Sequence, residues 1–505
     1  MNPSQTSSTA INRPFQAPSF FFYDLETTGF DARAGRIMQF AGQRTDLELK
    51  PLGEPVNILI KLTPDVLPSP DAILVTGITP QQSLADGLTE AEFLKLFYDQ
   101  VVQPGTIFTG FNSIRFDDEF MRFLHYRNFY DAYEWQWRDG CSRWDLLDVV
   151  RLTRALRPQG IEWPFAPDGK PANRLELLTK VNKLSHESAH DALSDVRATI
   201  DVAQMVRGKQ PDLFEYLLSM RDKKKVAALV EADQPFVYAS GRFPSQYLHT
   251  TAAARLCRSP DSGGALVYNL RHDPTPFIKM GVDELVEAWR FTKDPEAPPR
   301  LPVKTLKYNR APAVAPLGVV KDQATQQRLD LNLETVSQHL NILKKHQSEF
   351  AAKLLRAVAK LDEERAAKQQ LGLVDNQLTV DGRLYEGFIG DADKQAMRAV
   401  RTAQPDKLND LAASLHDERL KNLLPLYKAR NYPASLSPDE RAAWDKFCGQ
   451  QLFEGGNDSR LAKYFARLQA LAGGNLSAQQ QYLLEELQLY GQSIVPSDAG
   501  DGAAG

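Results

Sequence analysis

Cysteine is scarce in this sequence, and its placement excludes several classes of protein. Only three of the 505 residues are cysteines, Cys141, Cys257 and Cys448, and no two of them form a Cys-x-x-Cys pair. Such spacing offers no disulfide framework and argues against a zinc ribbon. It fits a protein of the reducing cytoplasm, which is where we expect this one to work.

Long apolar runs are also missing. No stretch approaches the 18 consecutive apolar residues that a membrane-spanning helix needs, so we expect no membrane partner. Residues 1–17 are polar and lack the basic start and apolar core of a secretory signal. We expect this segment to be flexible, and we expect the Gly-, Ala- and Asp-rich tail 496–505 to be disordered.

A strong charge of either sign is the third absence. Lys and Arg total 60 against 64 Asp and Glu, which leaves a net charge of −4. Binding to a polyanion would therefore require a local basic surface. With 43% hydrophobic and 25% charged residues the composition is that of an ordinary globular protein, and the length predicts roughly three or four domains.

The most informative stretch runs from Phe20 to Gly29, an aromatic run that ends in Asp-Leu-Glu-Thr-Thr-Gly. The run predicts a buried strand. Residues i and i+2 of a strand point to one face, so Asp24 and Glu26 project together. Two carboxylates held this close favour a cation between them, and oxygen ligands suit Mg²⁺ or Mn²⁺. An Asp-x-Glu pair on a solvated sheet edge is the common alternative, so the metal hypothesis requires further carboxylates downstream.

A second block contains such a carboxylate. The buried strand predicted at 106–111 leads into Asn112 and Phe116-Asp117-Asp118, where a helix should begin near Asp117. Asp117 could simply stabilise the helix dipole, an effect of ~0.3–1 kcal/mol. Alternatively it faces Asp24 and Glu26 from a neighbouring strand. Asp118, about 100° further around the helix, should point elsewhere.

A third block adds an imidazole and one more carboxylate. Leu193, Val196, Ile200 and Ala203 form an apolar helical stripe, which predicts a helix that starts at Ala192 with Asp191 as its cap. His190 then lies on the preceding loop and Asp195 one turn inside the helix. Either residue alone would usually be structural.

Taken together, Asp24, Glu26, Asp117, His190 and Asp195 resemble the DEDD exonucleases of the histidine subtype. Further blocks are similar to the bacterial exodeoxyribonuclease I family. They include Ser142–Val149, Ala155–Pro164, Arg174–Lys180, Pro211–Tyr216, Pro302–Lys304, Leu384–Asp393 and Ala429–Pro433. One departure is Leu25 with Thr27-Thr28, which looks closer to proofreading-type exonucleases and leaves the carboxylates in place.

The resemblance implies an α/β fold in which a ribonuclease H-like exonuclease core, a mixed sheet with flanking helices, precedes an SH3-like β-containing domain and a C-terminal helical domain. We place these domains at 18–208, 211–362 and 368–495. The implied activity is processive 3′-to-5′ degradation of single-stranded DNA to 5′-mononucleotides, in DNA repair and recombination.

Phosphodiester hydrolysis explains why these residue types occur together. Two metal ions can activate the attacking water and stabilise the leaving 3′-oxygen, so we expect two Mg²⁺, with Mn²⁺ as the alternative ion. Asp24, Glu26, Asp117 and Asp195 are the predicted ligands, and His190 is the predicted general base. Glu26, Thr27 and Thr28 are expected to meet the 3′-terminal nucleotide, and the resemblance makes Arg174 a further substrate contact.

The family also docks the acidic C-terminal tail of single-stranded DNA-binding protein, for which Arg157 and Tyr216 are the candidate residues; packing between domains is the alternative for both. We expect a monomer.

Two other functions stay open at this point. One is an RNA exonuclease or proofreading exonuclease with the same core, and the other is a non-catalytic scaffold that binds single strands.

Overall fold

The computed structural model describes residues 18–185, 191–261, 263–290, 299–370 and 379–495. The terminal segments expected to be flexible or disordered lie outside these residues, and so does His190. Among the residues described, no helix combines the length and apolar character needed to cross a membrane.

The first domain is built on a five-stranded sheet in the order β3-β2-β1-β4-β5. The strands are β1 (Ser19–Thr27), β2 (Ile37–Thr45), β3 (Val56–Leu59), β4 (Thr106–Gly110) and β5 (Ser142–Asp145). Strands β1, β2 and β3 pair antiparallel, whereas β1, β4 and β5 are parallel. This is the mixed sheet expected of a ribonuclease H-like core.

Helices cover both faces of this sheet. They are α1 (Pro70–Thr76), α2 (Pro80–Asp86), α3 (Glu90–Leu96), α4 (Asp117–Arg127), α5 (Leu146–Leu156), α6 (Leu175–Val181), α7 (Ala192–Lys209) and α8 (Pro211–Ser219). Phe20 and Phe22 of β1 pack with α5 and α7, while Phe21 and Tyr23 pack on the opposite side with α4. Because both faces of β1 are buried, its sequence is continuously apolar instead of alternating.

The second domain contains an antiparallel sheet in the order β10-β6-β7-β8-β9. Its elements are α9 (Lys223–Val230), β6 (Phe236–Ala239), β7 (Thr250–Arg258), β8 (Gly264–Asn269), α10 (Thr275–Lys279), α11 (Val282–Trp289), β9 (Val303–Lys307), β10 (Ala313–Pro316), α12 (Gln323–Leu329) and α13 (Leu333–Gln370). Strand β7 was not predicted from the sequence. Its small residues Ala252 and Ala254 are buried in the same apolar cluster as Phe350 and Leu354 of α13.

The last part of the chain is helical: α14 (Asp391–Thr402), α15 (Glu418–Asn431), α16 (Pro438–Phe453), α17 (Arg460–Ala472) and α18 (Ala478–Ser493). Capping boxes at Ser437 and Ser477 begin α16 and α18. Leu484 and Leu487 of α18 share an apolar cluster with Met38 and Ile73 of the first domain. The helical domain is thus packed directly against the sheet domain.

Candidate active site

Three of the predicted carboxylates converge at the end of β1. Asp24 and Glu26 project from one face of the strand, and Asp195 approaches them from α7. One oxygen from each residue lies within 4.8 Å of the other two. Glu26 is only 8% exposed, so the group is partly withdrawn from water.

The start of α7 is fixed by its cap and by the neighbouring strand. The side chain of Asp191 accepts a hydrogen bond from the Ser194 amide at 3.0 Å, as predicted for the N-cap. Gln39 of β2 donates to Asp191 at 3.5 Å and accepts from the Ala192 amide at 3.4 Å. These bonds hold Asp195, one turn into the helix, against the sheet.

Asp117 is the first residue of α4 and is 3% exposed. Its Oδ1 atom is buried and accepts no hydrogen bond from any described residue. Burial raises the pKa of Asp117 well above its ordinary value, and the nearby charges of Asp118, Asp145 and Glu26 add to the rise. A buried carboxylate oxygen without a donor is the state expected of a metal ligand or of its water contact.

The other carboxylates titrate abnormally for the same reason. Burial, then the charges of Asp117 and Asp195, raises the pKa of Asp24 well above its usual range. Burial, then Asp24 and Asp195, raises the pKa of Glu26 to about 9. Such like charges are stable together only with protons or a cation between them. The all-oxygen donor set therefore fits a hard divalent cation such as Mg²⁺ or Mn²⁺.

Asp145 holds the backbone of the loop that precedes α4 and Asp117, a role that the sequence motifs did not reveal. It ends β5, and its carboxylate accepts the backbone amides of Asn112 at 3.0 Å and Ile114 at 3.2 Å. Asn112 has a φ of 72°, a left-handed conformation that these bonds help to hold. Asp118 points away from the cluster, as predicted, and accepts from the Tyr23 hydroxyl at 2.5 Å.

A pocket of about 360 Å³ opens beside the carboxylates. Its lining includes Asp24, Asp195 and Arg174, together with Arg151 and His249. Arg174 precedes α6, and its side chain is 75% exposed with the guanidinium 3.7 Å from the Glu176 carboxylate. His249 comes from the second domain, and no local motif indicated that it would reach this pocket; its Nδ1 lies 2.7 Å from the Phe243 carbonyl oxygen.

The segment after Glu26 folds tightly onto β2. The amide, carbonyl and hydroxyl of Thr28 all form hydrogen bonds inside the protein, with Arg36 and Ser69 as partners at 2.7–2.9 Å. These bonds fix the backbone and side chain of Thr28, while the hydroxyl of Thr27, the residue after Glu26, donates to the Gly29 carbonyl at 2.8 Å.

Phe30, four residues after Glu26, is 90% exposed. Its ring contacts that of Phe116 edge to face, with the centroids 6.4 Å apart. Since Phe116 immediately precedes Asp117, the two rings form an aromatic ledge between the first and second carboxylate blocks. Phe30 was not predicted from the sequence, although an aromatic residue in a polar loop after the motif was the available signal.

The two candidate partner-binding residues lie apart from the carboxylates. Arg157 is exposed at the end of α5. Tyr216 is half-buried on α8 and donates to the Val314 carbonyl of β10 at 3.2 Å. Arg328 donates to the Ala155 carbonyl at 3.0 Å, which brings a second cation to the end of α5.

The clustered carboxylates make stability depend on pH when no metal is bound. Glu26 has a folded pKa of about 9 against 4.5 for an ordinary Glu, so the folded protein holds more protons than the unfolded chain between these values. The free energy of unfolding should fall as pH rises through this window, by several kcal/mol as an order of magnitude. We expect thermal melts in EDTA to show this loss and saturating Mg²⁺ to reverse it. An identical slope in Glu26→Gln would contradict the assignment.

Family models match three consecutive parts of the chain. The "Exonuclease" family model covers residues 21–203, the "Exonuclease I SH3-like domain" covers 221–359, and the "Exonuclease I C-terminal domain" covers 378–494. The first of these contains every carboxylate described above.

Whole proteins with the same combination are similar over most of their length. Exodeoxyribonuclease I of Escherichia coli (strain K12) is 39% identical over 86% of this chain and 90% of its own. Exodeoxyribonuclease I of Haemophilus influenzae is 37% identical over 94% of this chain and 99% of its own.

Solved structures agree with the overall fold. Exonuclease I from Methylocaldum szegediense is 40% identical, and E. coli exonuclease I in complex with a dA16 oligonucleotide is 36% identical; both have a TM-score of 0.86 and cover 95% of this chain and 100% of theirs. A complex of SSB and exonuclease I, 35% identical with the same coverage, has a TM-score of 0.84. The chain belongs to the exodeoxyribonuclease I family.

Proposed function

We propose that this protein is a 3′-to-5′ exonuclease that degrades single-stranded DNA to 5′-mononucleotides with the help of Mg²⁺. The observation that carries the proposal is a set of buried and half-buried carboxylates: Asp24, Glu26 and Asp195 have oxygens within 4.8 Å of one another, and the nearby Asp117 has an Oδ1 that accepts no hydrogen bond from the described residues. Membership of the exodeoxyribonuclease I family supports the choice of substrate.

The carboxylates would hold two Mg²⁺ ions, with Mn²⁺ as the alternative. Asp24, Glu26 and Asp195 would bind one ion, and Asp24 with Asp117 the other. Bound there, such ions lower the pKa of a water and stabilise charge on the leaving oxygen. The protein's own part is to hold the four carboxylates close together at the end of the sheet, where bound ions would favour their ionised forms.

His190 is the proposed general base. It stands five residues before Asp195 in the sequence, on the segment that leads into α7. A neutral imidazole with a pKa near 6.5 can accept the proton of the attacking water at neutral pH.

The strand would enter the pocket with its 3′ end over Glu26, Thr27 and Thr28. Arg174 would meet a phosphate, since it is exposed at the rim and lines the same pocket as Asp24. Phe30 would stack on a base, because its ring face lies open to solvent next to the catalytic block. Base stacking needs an unpaired strand, which favours single-stranded over duplex DNA.

Replacing Phe30 with alanine should weaken binding of single-stranded DNA about 5- to 100-fold and change the saturated rate little, because stacking on one base contributes ~1–3 kcal/mol. Fluorescence anisotropy in EDTA would measure the dissociation constant. Phe30→Trp should bind like the wild type. Placing abasic nucleotides at the last positions should remove the difference between Phe30→Ala and wild type; a difference that persists would contradict stacking.

We further propose that the surface formed by the exposed Arg157 and the half-buried Arg328 docks the acidic tail of single-stranded DNA-binding protein. The structure of SSB with a similar exonuclease I supports this partner. Tyr216 would help indirectly by fixing α8 against β10. We propose that the enzyme is a processive monomer. It would work in DNA repair and recombination in the cytoplasm, together with single-stranded DNA-binding protein.

Digestion of 5′-labelled oligonucleotides tests the proposed function. With Mg²⁺, single-stranded DNA should shorten from its 3′ end, while duplex DNA and RNA of the same sequence should persist. Preferential cleavage of RNA would favour the RNA-exonuclease alternative. Binding without cleavage in either Mg²⁺ or Mn²⁺ would favour the scaffold.

A further inference from the structure

Four buried charged residues connect the helical domain to the catalytic strand. We call Arg36, Asp65, Asp381 and Arg430 the interdomain ion cluster; all four are less than 9% exposed. The first two belong to the sheet domain, and the other two belong to the helical domain more than 300 residues later. Two cations and two anions make the cluster neutral.

Short hydrogen bonds join the four residues of the interdomain ion cluster. Arg430 binds Asp381 in a bidentate fork at 2.7 and 2.8 Å and also donates to Asp65 at 2.7 Å. Arg36 donates to the same Asp381 at 2.9 Å. Although burial opposes ionisation, Arg430 and Arg36 hold the pKa of Asp381 well below its usual range, so its charge persists at neutral pH. Buried forks of this kind are rigid because both partners are planar.

Arg36 also closes the loop that follows the catalytic motif. Its backbone amide donates to the Thr28 hydroxyl, and its carbonyl accepts the Thr28 amide, both at 2.9 Å. Its guanidinium donates to the Ala34 and Gly35 carbonyls at 3.1 Å. The loop is tightly packed, since a Cβ added at Gly35 would lie 2.7 Å from the Asp31 carbonyl oxygen.

A continuous series of contacts therefore links the helical domain to the proposed metal ligands. Asp381 holds the Arg36 side chain, the Arg36 backbone holds Thr28, and Thr28 follows Glu26 by two residues. Pairing between β1 and β2 is irregular between Glu26 and Thr27, so the regular ladder alone does not fix this end of the strand.

We propose that Arg36, anchored by Asp381, is a positioning residue for the reaction: the helical domain holds the Glu26–Thr28 segment in its catalytic geometry. The inference rests on the proposed nuclease function and extends it, because it gives the helical domain a role in the hydrolytic step itself. A domain that only tracked the DNA strand would affect binding and leave the step at the carboxylates unchanged.

Asp381→Asn and Arg36→Lys in the full-length protein test this role. Asp381→Asn removes the anion and keeps the shape. Arg36→Lys keeps the charge, but an ammonium cannot reach Asp381 and both loop carbonyls as a planar fork does. Asp71→Asn is the matched control, because Asp71, in the first turn of α1, forms an exposed ion pair with Arg467 between the same two domains and does not bond to Arg36 or Thr28 in the described structure.

Two measured quantities distinguish a positioning role of Arg36 and Asp381 from a role in binding the DNA strand. One is the rate at which the 3′-terminal nucleotide is released in a single turnover at saturating enzyme; the other is the dissociation constant for the oligonucleotide in EDTA. We expect both cluster variants to lower the rate about 10- to 100-fold, as small displacements of reacting groups do, with less than a ~3-fold change in the dissociation constant. Asp71→Asn should match the wild type in both quantities.

Weaker DNA binding with an unchanged single-turnover rate would overturn the proposal. If Asp381→Asn does not fold, as a thermal melt would show, Arg36→Lys decides alone, and a wild-type rate in that variant overturns the proposal. Failure of the wild type to release any nucleotide would instead overturn the nuclease function and the positioning role together.

Discussion

Asp24→Asn should lower the rate of nucleotide release about 10³-fold or more. The asparagine has nearly the same shape but lacks the negative charge that two cations would share, and a lost metal ligand costs several kcal/mol of transition-state stabilisation. Single-turnover release of the 3′-terminal nucleotide from a 5′-labelled strand measures the effect.

The same substitution should leave DNA binding intact and stabilise the metal-free protein. Asp24 is repelled by Asp117 and Asp195, so removing its charge relieves that repulsion. Asp201→Asn is a suitable control because Asp201 lies on α7, as Asp195 does, but outside the cluster. A rate within tenfold of the wild type in Asp24→Asn would show that the carboxylates are structural.

His190→Ala should lower the rate about 10²- to 10⁴-fold, the usual contribution of a general base, with little change in the dissociation constant for DNA. The wild-type rate should rise with pH as the imidazole loses its proton, and the variant should lose that rise. Rates at saturating enzyme between pH 5.5 and 8.5 would show the difference. His186→Ala, four residues earlier in the sequence, is the control.

His249 provides the competing hypothesis for the base, because it lines the pocket that contains Asp24 and Asp195. Burial lowers the pKa of His249, and its Nδ1 is engaged with the Phe243 carbonyl, which favours a structural role. A wild-type rate and pH profile in His190→Ala, together with a large loss in His249→Ala, would transfer the role to His249.

The local parts of the site could be predicted from the sequence. Asp24 and Glu26 share a strand face because side chains alternate, and Asp195 lies one turn into a helix that Asp191 caps. These relations depend on only a few neighbouring residues. The convergence of β1 and α7 was predicted from the family resemblance, and the structure brings their carboxylates within 4.8 Å.

Residues that act across long separations could not be predicted in the same way. Arg36 and Asp381 are 345 positions apart, and nothing in either local sequence signals the other. Strand β7 was missed because its alanines, Ala252 to Ala254, have weak strand propensity, and burial against α13 overrides that preference. Asp145 belongs to the block Ser142–Val149, which resembles the family, but its role could not be predicted. That role is to accept the backbone amides of the loop at Asn112 and Ile114, which lies more than 30 residues earlier.

Calorimetric titration of Mg²⁺ into the wild type and Asp24→Asn, paired with digestion of single-stranded DNA by each, tests the central claim most directly. A metal-binding carboxylate cluster predicts that the wild type binds the ion and shortens the strand from its 3′ end, while the variant binds Mg²⁺ more weakly and leaves the strand intact. Equal Mg²⁺ binding and equal digestion by both proteins would contradict the claim.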